Sequence, residues 1–321
     1  MPRPRKSLIC LDETPYYHCI SRCVRRAFLC GKDHYTGKSY EHRRNWVEGR
    51  LFNLAKVFAI DVCAYSIMSN HTHLVLHVDK SKAESWSTEE VLNRWHALHK
   101  GTLLTRQYMR PDIRDSLSDS QMQTILASVS IYRHRLYDIS WFMRLLNEFI
   151  AREANKEDEC TGHFWEGRFK SQALLDEAAI AACMAYVDLN PIRAGIANTT
   201  DTSDFTSIKK RIVAAKKHTQ PTLLYPFMTN KPMGHKKVIT SELTQSLPFY
   251  LEDYINLVEL TARQLNLNTI AHIIDDKEPI IKRAKLNKTD WYFMVINIET
   301  QFSTKISRAI ASYKHIQAQA G

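Results

Sequence analysis

Two short apolar runs separated by a two-residue polar break constrain the fold of this chain more than any other feature. The runs are residues 60–68 and 71–78, and the break is Ser69-Asn70. Runs of this length with such a break between them predict an antiparallel β-hairpin. The second arm of this hairpin would begin with the sequence His71-Thr72-His73.

His71 and His73 are two residues apart, so a strand would place both imidazoles on one face. With roughly 6.6 Å between their backbone positions, they could bind one divalent cation and leave coordination positions open for a substrate. His77 would lie roughly 13 Å from His73, too far to share that ion. The alternative is a half-exposed strand with two solvated histidines, since the chain has 14 histidines and such a pair is weak evidence alone.

The remaining pattern predicts an α+β fold of the ferredoxin-like kind. Residues 16–24 alternate like a strand, and residues 40–58 have near-helical spacing. After the hairpin come several helices, an extended segment at 162–175, and a helix that Asp176 caps and Asn190-Pro191 ends. This order predicts an antiparallel sheet with packed helices and a helical insertion at residues 85–157.

Length and composition predict a globular protein with one large domain or two ordinary ones. The chain has 321 residues, of which 44% are hydrophobic and 24% charged. We expect a main domain at 1–200, a basic linker or arm at 201–245 and a small helical module at 246–321. No apolar run approaches membrane-spanning length, and the basic start lacks the apolar stretch of a signal peptide. We therefore expect a cytoplasmic, nucleoid-associated protein.

Positive charge is concentrated in two segments of the chain. The net charge is +10, and residues 1–50 hold eleven Lys or Arg against five Asp or Glu. Residues 205–240 hold eight Lys or Arg and no acidic residue. Such concentration indicates a polyanionic partner, with nucleic acid the leading candidate. The alternative is a generic solubilising surface, since basic loops are common.

The seven cysteines lack the paired spacing of a structural zinc site. We expect reduced thiols, with Cys19 and Cys23 packed against other side chains. A zinc ion held by these two residues and Cys30 is the alternative, although their spacing fits no common zinc motif.

In the helix predicted after Asp176, Tyr186 and Asn190 lie one turn apart. Small residues around Tyr186, such as Ala182 and Cys183, leave room for a ligand or a second backbone to approach. The spacing of four residues aims a phenol and an amide at one place. A phenol beside a metal ion can carry out phosphoryl transfer.

Three motifs, in order along the chain, resemble the REP-associated tyrosine transposases, a branch of the single-tyrosine HUH transposases linked to repetitive extragenic palindromes. The motifs are His71-Thr72-His73, Gly162-His163-Phe164-Trp165-Glu166-Gly167-Arg168-Phe169 and Tyr186-Val187-Asp188-Leu189-Asn190-Pro191-Ile192-Arg193-Ala194-Gly195. The resemblance covers roughly residues 15–197. Thr72 departs from the bulky hydrophobic residue usual in the family, but a β-branched residue still suits a strand. Its side chain would point away from the metal.

The resemblance implies a catalytic centre in which His71 and His73 bind a metal ion, Tyr186 is the nucleophile and Asn190 completes the protein ligands. The implied cofactor is Mg²⁺ or Mn²⁺. The implied activity is that of a single-stranded DNA endonuclease and strand transferase, which cleaves at palindromic hairpin elements through a 5′-phosphotyrosine intermediate. We expect single-stranded DNA with a hairpin as the partner, and a monomer rather than a dimer.

Basic and aromatic residues near these motifs are the candidates for contacts with DNA. For the DNA backbone they are Arg22, Arg25, Arg26, Arg168, Lys170, Lys209, Lys210 and Arg211. For base stacking they are Tyr16, Tyr17, Phe164 or Trp165, although core packing is the favoured role for each aromatic residue.

Two other functions stay open at this point. The chain could be a hairpin DNA-binding regulator that has lost cleavage, although it keeps His71, His73, Tyr186 and Asn190 together. It could also be a metal-dependent hydrolase of small substrates in which Tyr186 is structural, but such an enzyme needs no strongly basic surface.

Overall fold

A five-stranded sheet lies at the centre of the protein. The computed structural model describes residues 8–24, 28–33, 35–229, 245–267 and 274–320. The strands are β1 (Tyr16–Arg22), β2 (Ile60–Ile67), β3 (His71–Val78), β4 (Lys170–Leu174), β5 (Phe227–Met228), β6 (Leu247–Tyr250) and β7 (Lys305–Ile306). The sheet has the order β2-β3-β1-β4-β7, in which only β4 and β7 run parallel. β5 and β6 form a separate parallel pair.

Helices join these strands in the order that the sequence predicts. They are α1 (Arg43–Val57), α2 (Lys80–Ser85), α3 (Thr88–His96), α4 (Leu103–Tyr108), α5 (Pro111–Arg114), α6 (Asp119–Arg135), α7 (Ile139–Glu157), α8 (Glu177–Asp188), α9 (Asn190–Arg193), α10 (Ser207–Ala215), α11 (Leu251–Leu267), α12 (Pro279–Arg283), α13 (Lys288–Asn297) and α14 (Arg308–Ala320). α1 joins β1 to β2, and α2 to α7 lie between β3 and β4. With the order β2-β3-β1-β4, this is the ferredoxin-like arrangement. The predicted α+β fold with a helical insertion is confirmed.

Helices cover both faces of the sheet. Tyr17 and Leu74 point into a core shared with α1 and α7. Val75 and Leu174 point into a second core, which α8 fills. Since His18 lies directly opposite Val75 in the β1–β3 pairing, His18 faces α8 as well. Both arms of the predicted hairpin are therefore buried along almost their whole length.

α8 is enclosed on all sides, which explains its many small residues. Its N-cap is Asp176, as predicted, whose carboxylate accepts a hydrogen bond from the Ala179 backbone N–H at 2.8 Å. One side of the helix contacts β2, β3 and β4, and another contacts α13. The side chains of His73, Arg193 and Glu299 lie around Tyr186. Asn190 and Pro191 follow the end of α8 and begin the short helix α9.

The segment predicted as a basic linker or arm at 201–245 is folded in its first part. α10 buries Ile208 and Ile212 and contacts β2 and α11. Residues 230–244 lie outside the described residues. Residues 247–250, near the start of the predicted helical module, form β6 rather than a helix.

The carboxyl-terminal residues 246–321, predicted as a helical module, also contribute a strand to the central sheet. β7 pairs with β4 through Ala173 and Leu174, and it lies between α13 and α14. The apolar core of this segment is continuous with that of α8. The carboxyl-terminal segment thus packs directly against the helix that carries Tyr186.

A buried polar network ties α8 to α10 and α11. The Asp188 carboxylate accepts hydrogen bonds from the Ser207 hydroxyl, from the Ile208 backbone N–H at 2.8 Å and from the Tyr254 hydroxyl at 2.6 Å. Burial raises the pKa of Asp188 to about 6, although these donors oppose the shift. A buried carboxylate needs such donors, so the network fixes how α8 sits against the two helices.

Within the described part of the chain, no helix is both long enough and apolar enough to cross a membrane.

Candidate active site

The structure brings His71, His73 and Tyr186 together on the face of the sheet that α8 covers. In the β1–β3 pairing, His71 lies opposite Arg22 and His73 opposite Ile20. The imidazole centroids of His71 and His73 are 4.7 Å apart, and that of His73 is 5.5 Å from the Tyr186 ring centroid. The histidine pair and Tyr186 are more than 110 positions apart along the chain, and they meet because α8 packs across β3.

Tyr186 is 4% exposed, and its hydroxyl is engaged by the carboxyl-terminal segment. The hydroxyl donates a hydrogen bond to Glu299 Oε1 at 2.5 Å. The Arg193 guanidinium lies 4.5 Å from the ring centroid of Tyr186. Burial raises the pKa of the Tyr186 phenol, the Glu299 charge raises it further, and Arg193 opposes both effects. The phenol is thus protonated at neutral pH.

His71 lies at the edge of the site and is half-buried. Its Nδ1 is 2.5 Å from the side-chain oxygen of Asn70, so Nδ1 carries the hydrogen of this bond. Burial, helped by the positive charge of Arg22, lowers the pKa of His71 to about 4. A neutral ring with hydrogen on Nδ1 has a lone pair on Nε2. This is the form of histidine that binds a metal ion through Nε2.

His73 is fully buried at the centre of the site. Its Nδ1 is 3.0 Å from Nε2 of His18, and Nδ1 of His18 is 2.7 Å from Oε1 of Gln172. His73 Nε2 lies 3.3 Å from Glu299 Oε1, yet it has no hydrogen-bond partner among the described residues. The short separation therefore reflects proximity rather than a formed hydrogen bond. Burial lowers the pKa of both His18 and His73.

Asn190, the predicted third ligand, is buried at the start of α9. Its Nδ2 is buried, and no described residue accepts a hydrogen bond from it. An amide NH₂ only donates hydrogen bonds, so this unpartnered atom does not bear on metal binding, for which Asn190 would have to use its Oδ1.

The ligand atoms of these residues are of types that bind a divalent cation, although the side chains are not arranged around one point. Among the described residues, no group of three or more His, Cys, Asp or Glu side chains is arranged to hold a metal ion. His71 and His73 nevertheless offer two neutral imidazoles, and Asn190 offers an amide oxygen. Such a donor set is compatible with Mg²⁺ or Mn²⁺ and can accept other divalent ions, so the ligand types do not fix the metal. The unpartnered Nε2 of His73 is the observation that fits an absent cation.

Two clefts open beside the site. The larger, of about 600 Å³, is lined by Arg22, Asn70 and His71, among other residues. The smaller, of about 200 Å³, is lined by Arg22, Arg168, Lys170 and Glu299, among others. Three of the predicted DNA-backbone contacts thus line clefts that reach the candidate centre. All three side chains are exposed.

The other basic candidates have different environments. Arg25 and Arg26 lie outside the described residues. Lys209 is 3.7 Å from Asp204, and Lys210 is 3.1 Å from Glu48, on the surface of α10. Arg211 was wrongly predicted to contact DNA, because its side chain is fully buried.

Arg211 faces the core because α10 packs on the sheet. It donates hydrogen bonds to the backbone oxygens of Cys63 and Tyr225 at 2.8 and 3.1 Å. It also stacks on Phe227, with 4.4 Å between guanidinium and ring centroid. Its role is to hold α10 against β2.

Core packing accounts for two of the four aromatic candidates for base stacking. Tyr17 is fully buried, and its hydroxyl donates to the Cys10 carbonyl at 2.7 Å. Phe164 is 4% exposed in the core beside α7. Trp165 and Tyr16 are half-buried, and the Trp165 indole N–H donates to the Asn147 carbonyl at 2.8 Å.

The cysteines of the zinc alternative lie in the core. Cys19, Cys23 and Cys30 are at most 4% exposed, in the apolar core between the sheet and α1. Thr72 is 1% exposed, as expected for a side chain on the face opposite the histidines, where its hydroxyl has no hydrogen-bond partner among the described residues.

Sequence reasoning missed His18, Gln172, Arg193 and Glu299. His18 has the strand parity of Arg22, but only the pairing of β1 with both β3 and β4 places it between His73 and Gln172. Glu299 follows α13 and has no local motif that would mark it. Its position depends on how the carboxyl-terminal segment packs on α8.

No protein-family model and no curated protein matches this sequence. A solved structure described as a REP-associated tyrosine transposase bound to a REP hairpin is similar, with a TM-score of 0.40 and 10% identity. The match covers 74% of this chain and 99% of that chain. Similarity at this level carries no argument about function, so the class of protein rests on the fold and the site alone. These define an α+β protein whose sheet places a histidine pair beside a buried tyrosine.

Proposed function

We propose that this protein is a metal-dependent endonuclease and strand transferase that acts on single-stranded DNA at palindromic hairpin elements. One observation carries the proposal: the Tyr186 ring lies 5.5 Å from the ring of His73, at the histidine pair. A buried phenol beside two neutral imidazoles is an arrangement that suits covalent phosphoryl transfer. A small-molecule hydrolase would leave the phenol a structural role and would need no strongly basic surface.

In the proposed reaction, Tyr186 is the nucleophile. Its hydroxyl oxygen forms a bond to the scissile phosphorus while the bond from phosphorus to the 3′ oxygen breaks. The phenolic proton is released and the 3′ oxygen takes up a proton, so the products are a 5′-phosphotyrosine and a free 3′-hydroxyl. The reverse reaction, with a different 3′-hydroxyl as the attacking group, joins strands without an external energy source.

His71, His73 and Asn190 would hold the divalent cation, Mg²⁺ or Mn²⁺. The bound ion would supply Lewis-acid stabilisation of the charge on a non-bridging phosphate oxygen. The protein fixes the positions of the reacting groups. The sheet fixes both imidazoles, and α8 fixes the phenol at a set distance from them.

The DNA backbone would follow the two clefts beside the site. Arg22 lines both clefts, and Arg168 and Lys170 line the smaller. Their exposed positive charges suit contacts with phosphates. We expect a single strand to thread its backbone into these clefts more readily than a duplex. Lys209 and Lys210 on α10 would contact the hairpin stem, and we expect the protein to act as a monomer.

A second candidate function is hairpin DNA binding without cleavage. The observation in its favour is that Tyr186 is 4% exposed and donates its hydrogen to Glu299. A phosphate can approach the phenol only after Glu299 moves. If Glu299 never moves, the protein would bind hairpins without cleaving them and would act as a regulator.

The test is to incubate the protein with Mn²⁺ and a labelled pool of single-stranded hairpins, and to look for a denaturant-resistant protein–DNA adduct. We expect an adduct with the wild-type protein and none with Tyr186→Phe. Tyr65→Phe is the matched control, because it removes another buried phenol that donates to a carboxylate, Glu48, at 2.6 Å. Hairpin binding without any adduct would favour the regulator, and an adduct that persists in Tyr186→Phe would refute the role of Tyr186.

A further inference from the structure

We propose that His18 and Gln172 are positioning residues, which hold His73 in the tautomer that carries hydrogen on Nδ1 and leaves Nε2 free for the cation. The inference rests on the proposed function, because it assumes that His73 is a metal ligand. Neither His18 nor Gln172 lies in a motif that indicates such a role. Both are buried, in β1 and β4 respectively.

Two backbone carbonyls fix the orientation of the Gln172 side chain. Its amide nitrogen lies 3.0 Å from the oxygen of Ile298 and 2.6 Å from the oxygen of Phe302. Carbonyl oxygens only accept hydrogen bonds, so the group that faces them must be the NH₂. The amide oxygen of Gln172 consequently faces His18.

His18 passes this constraint on to His73. Because the Gln172 oxygen is an acceptor, His18 Nδ1, at 2.7 Å from it, must carry a hydrogen. A second hydrogen on Nε2 would make His18 a fully buried cation with no carboxylate hydrogen-bonded to it, which is costly. Its Nε2 is therefore an acceptor, and His73 Nδ1, at 3.0 Å, must donate to it.

The other ring nitrogen of His73, Nε2, then carries a lone pair and no hydrogen. This agrees with the missing hydrogen bond between His73 Nε2 and Glu299 Oε1 across 3.3 Å. Two acceptors that face each other are unfavourable unless a positive charge lies near both. A cation bound at Nε2 supplies that charge. An imidazole without the His18 contact would populate both tautomers, and the form with hydrogen on Nε2 cannot bind a metal ion there.

The carboxyl-terminal segment holds this chain of hydrogen bonds, which runs from Gln172 through His18 to His73, in place. Ile298 and Phe302 flank Glu299, and the Arg193 guanidinium donates to the nearby carbonyl of Ile296 at 3.1 Å. β7 follows directly and pairs with β4, the strand that carries Gln172. Metal affinity at His73 therefore depends on residues about 225 positions later in the chain, through two side chains that do not touch the ion.

The experiment has two independent readouts. The first is the tautomer of His73, measured by long-range ¹⁵N–¹H NMR correlations on the full-length, histidine-labelled protein without metal. We expect hydrogen on Nδ1 in the wild-type protein and a mixture of tautomers in Gln172→Met. A wild-type His73 with hydrogen on Nε2 would overturn the inference, whatever the protein does to DNA.

The second readout is the Mn²⁺ dissociation constant, measured by titration calorimetry. His18→Phe and Gln172→Met should weaken Mn²⁺ binding by about 10- to 100-fold, as loss of a hydrogen bond to a metal-ligating histidine commonly does. His18→Gln should recover much of the affinity, because its amide can donate to Gln172 and accept from His73. His77→Phe is the control, since His77 lies on the same face of β3 but contacts Asp61.

The outcomes separate the inference from the proposed function. Folded His18→Phe and Gln172→Met proteins that bind Mn²⁺ within twofold of the wild-type value would overturn the inference and leave the function intact. A wild-type protein with the expected tautomer, but with Mn²⁺ binding unchanged by His73→Ala, would overturn the metal site of the proposed function. The positioning of His73 by His18 would then stand without its metal role.

Discussion

The Glu299→Ala variant should bind single-stranded hairpin DNA more tightly than the wild-type protein. The Tyr186 hydroxyl donates to Glu299 at 2.5 Å, and this bond must break before a phosphate can reach the phenol. A hydrogen bond to a charged group contributes about 1.5–3 kcal/mol to stability. If binding no longer has to break it, affinity should rise by about 10- to 150-fold.

The assay is fluorescence anisotropy with a labelled hairpin, without divalent cation so that no cleavage occurs. Glu299→Gln should give an intermediate gain, because the amide oxygen still accepts from the phenol but the negative charge is gone. Glu84→Ala, on the exposed helix α2, makes the same change in net charge and controls for general electrostatic attraction. Glu299→Ala affinity equal to that of Glu84→Ala, or weaker, would refute the reasoning.

Three further predictions concern stability and the DNA surface. Thr72→Val should raise the free energy of unfolding by about 1–3 kcal/mol in urea titrations, because it removes a buried hydroxyl without a described partner; an unchanged or lower value would contradict this. Tyr254→Phe should lower it by about 1.5–3 kcal/mol, since Asp188 loses a buried donor, and an unaltered melting curve would argue against the network. Arg22→Ala should reduce the slope of log affinity against log salt by about 1, whereas Arg211→Met should lower the melting temperature and leave that slope unchanged. Equal slopes for Arg22→Ala and the wild-type protein would remove Arg22 from the DNA surface.

The sequence predicted those parts of the fold that depend on local pattern. The hairpin, the α1 crossover, the helical insertion and the Asp176 cap all follow from periodicity, turn residues and capping. So does the shared face of His71 and His73, because strand alternation has a fixed period of two. The approach of Tyr186 to His73 followed from the resemblance to a family and not from periodicity.

The remaining features depend on packing between distant segments. Arg211 was misassigned because a basic run suggests a solvated surface, and only the packing of α10 on β2 shows that this one member points inward. β7 is two residues long and has no pattern of its own, so its pairing with β4 could not be predicted. Gln172 reaches the site through the pairing of β4 with β1, and Glu299 through the packing of α13 on α8.

The central claim is that Tyr186 forms a covalent bond to DNA. The most direct measurement is mass spectrometry of the proteolysed adduct formed with Mn²⁺ and a hairpin substrate. We expect the peptide containing Tyr186 to carry a nucleotide through its 5′-phosphate. A nucleotide on any other residue, or DNA cleavage with no nucleotide attached to the protein, would contradict it.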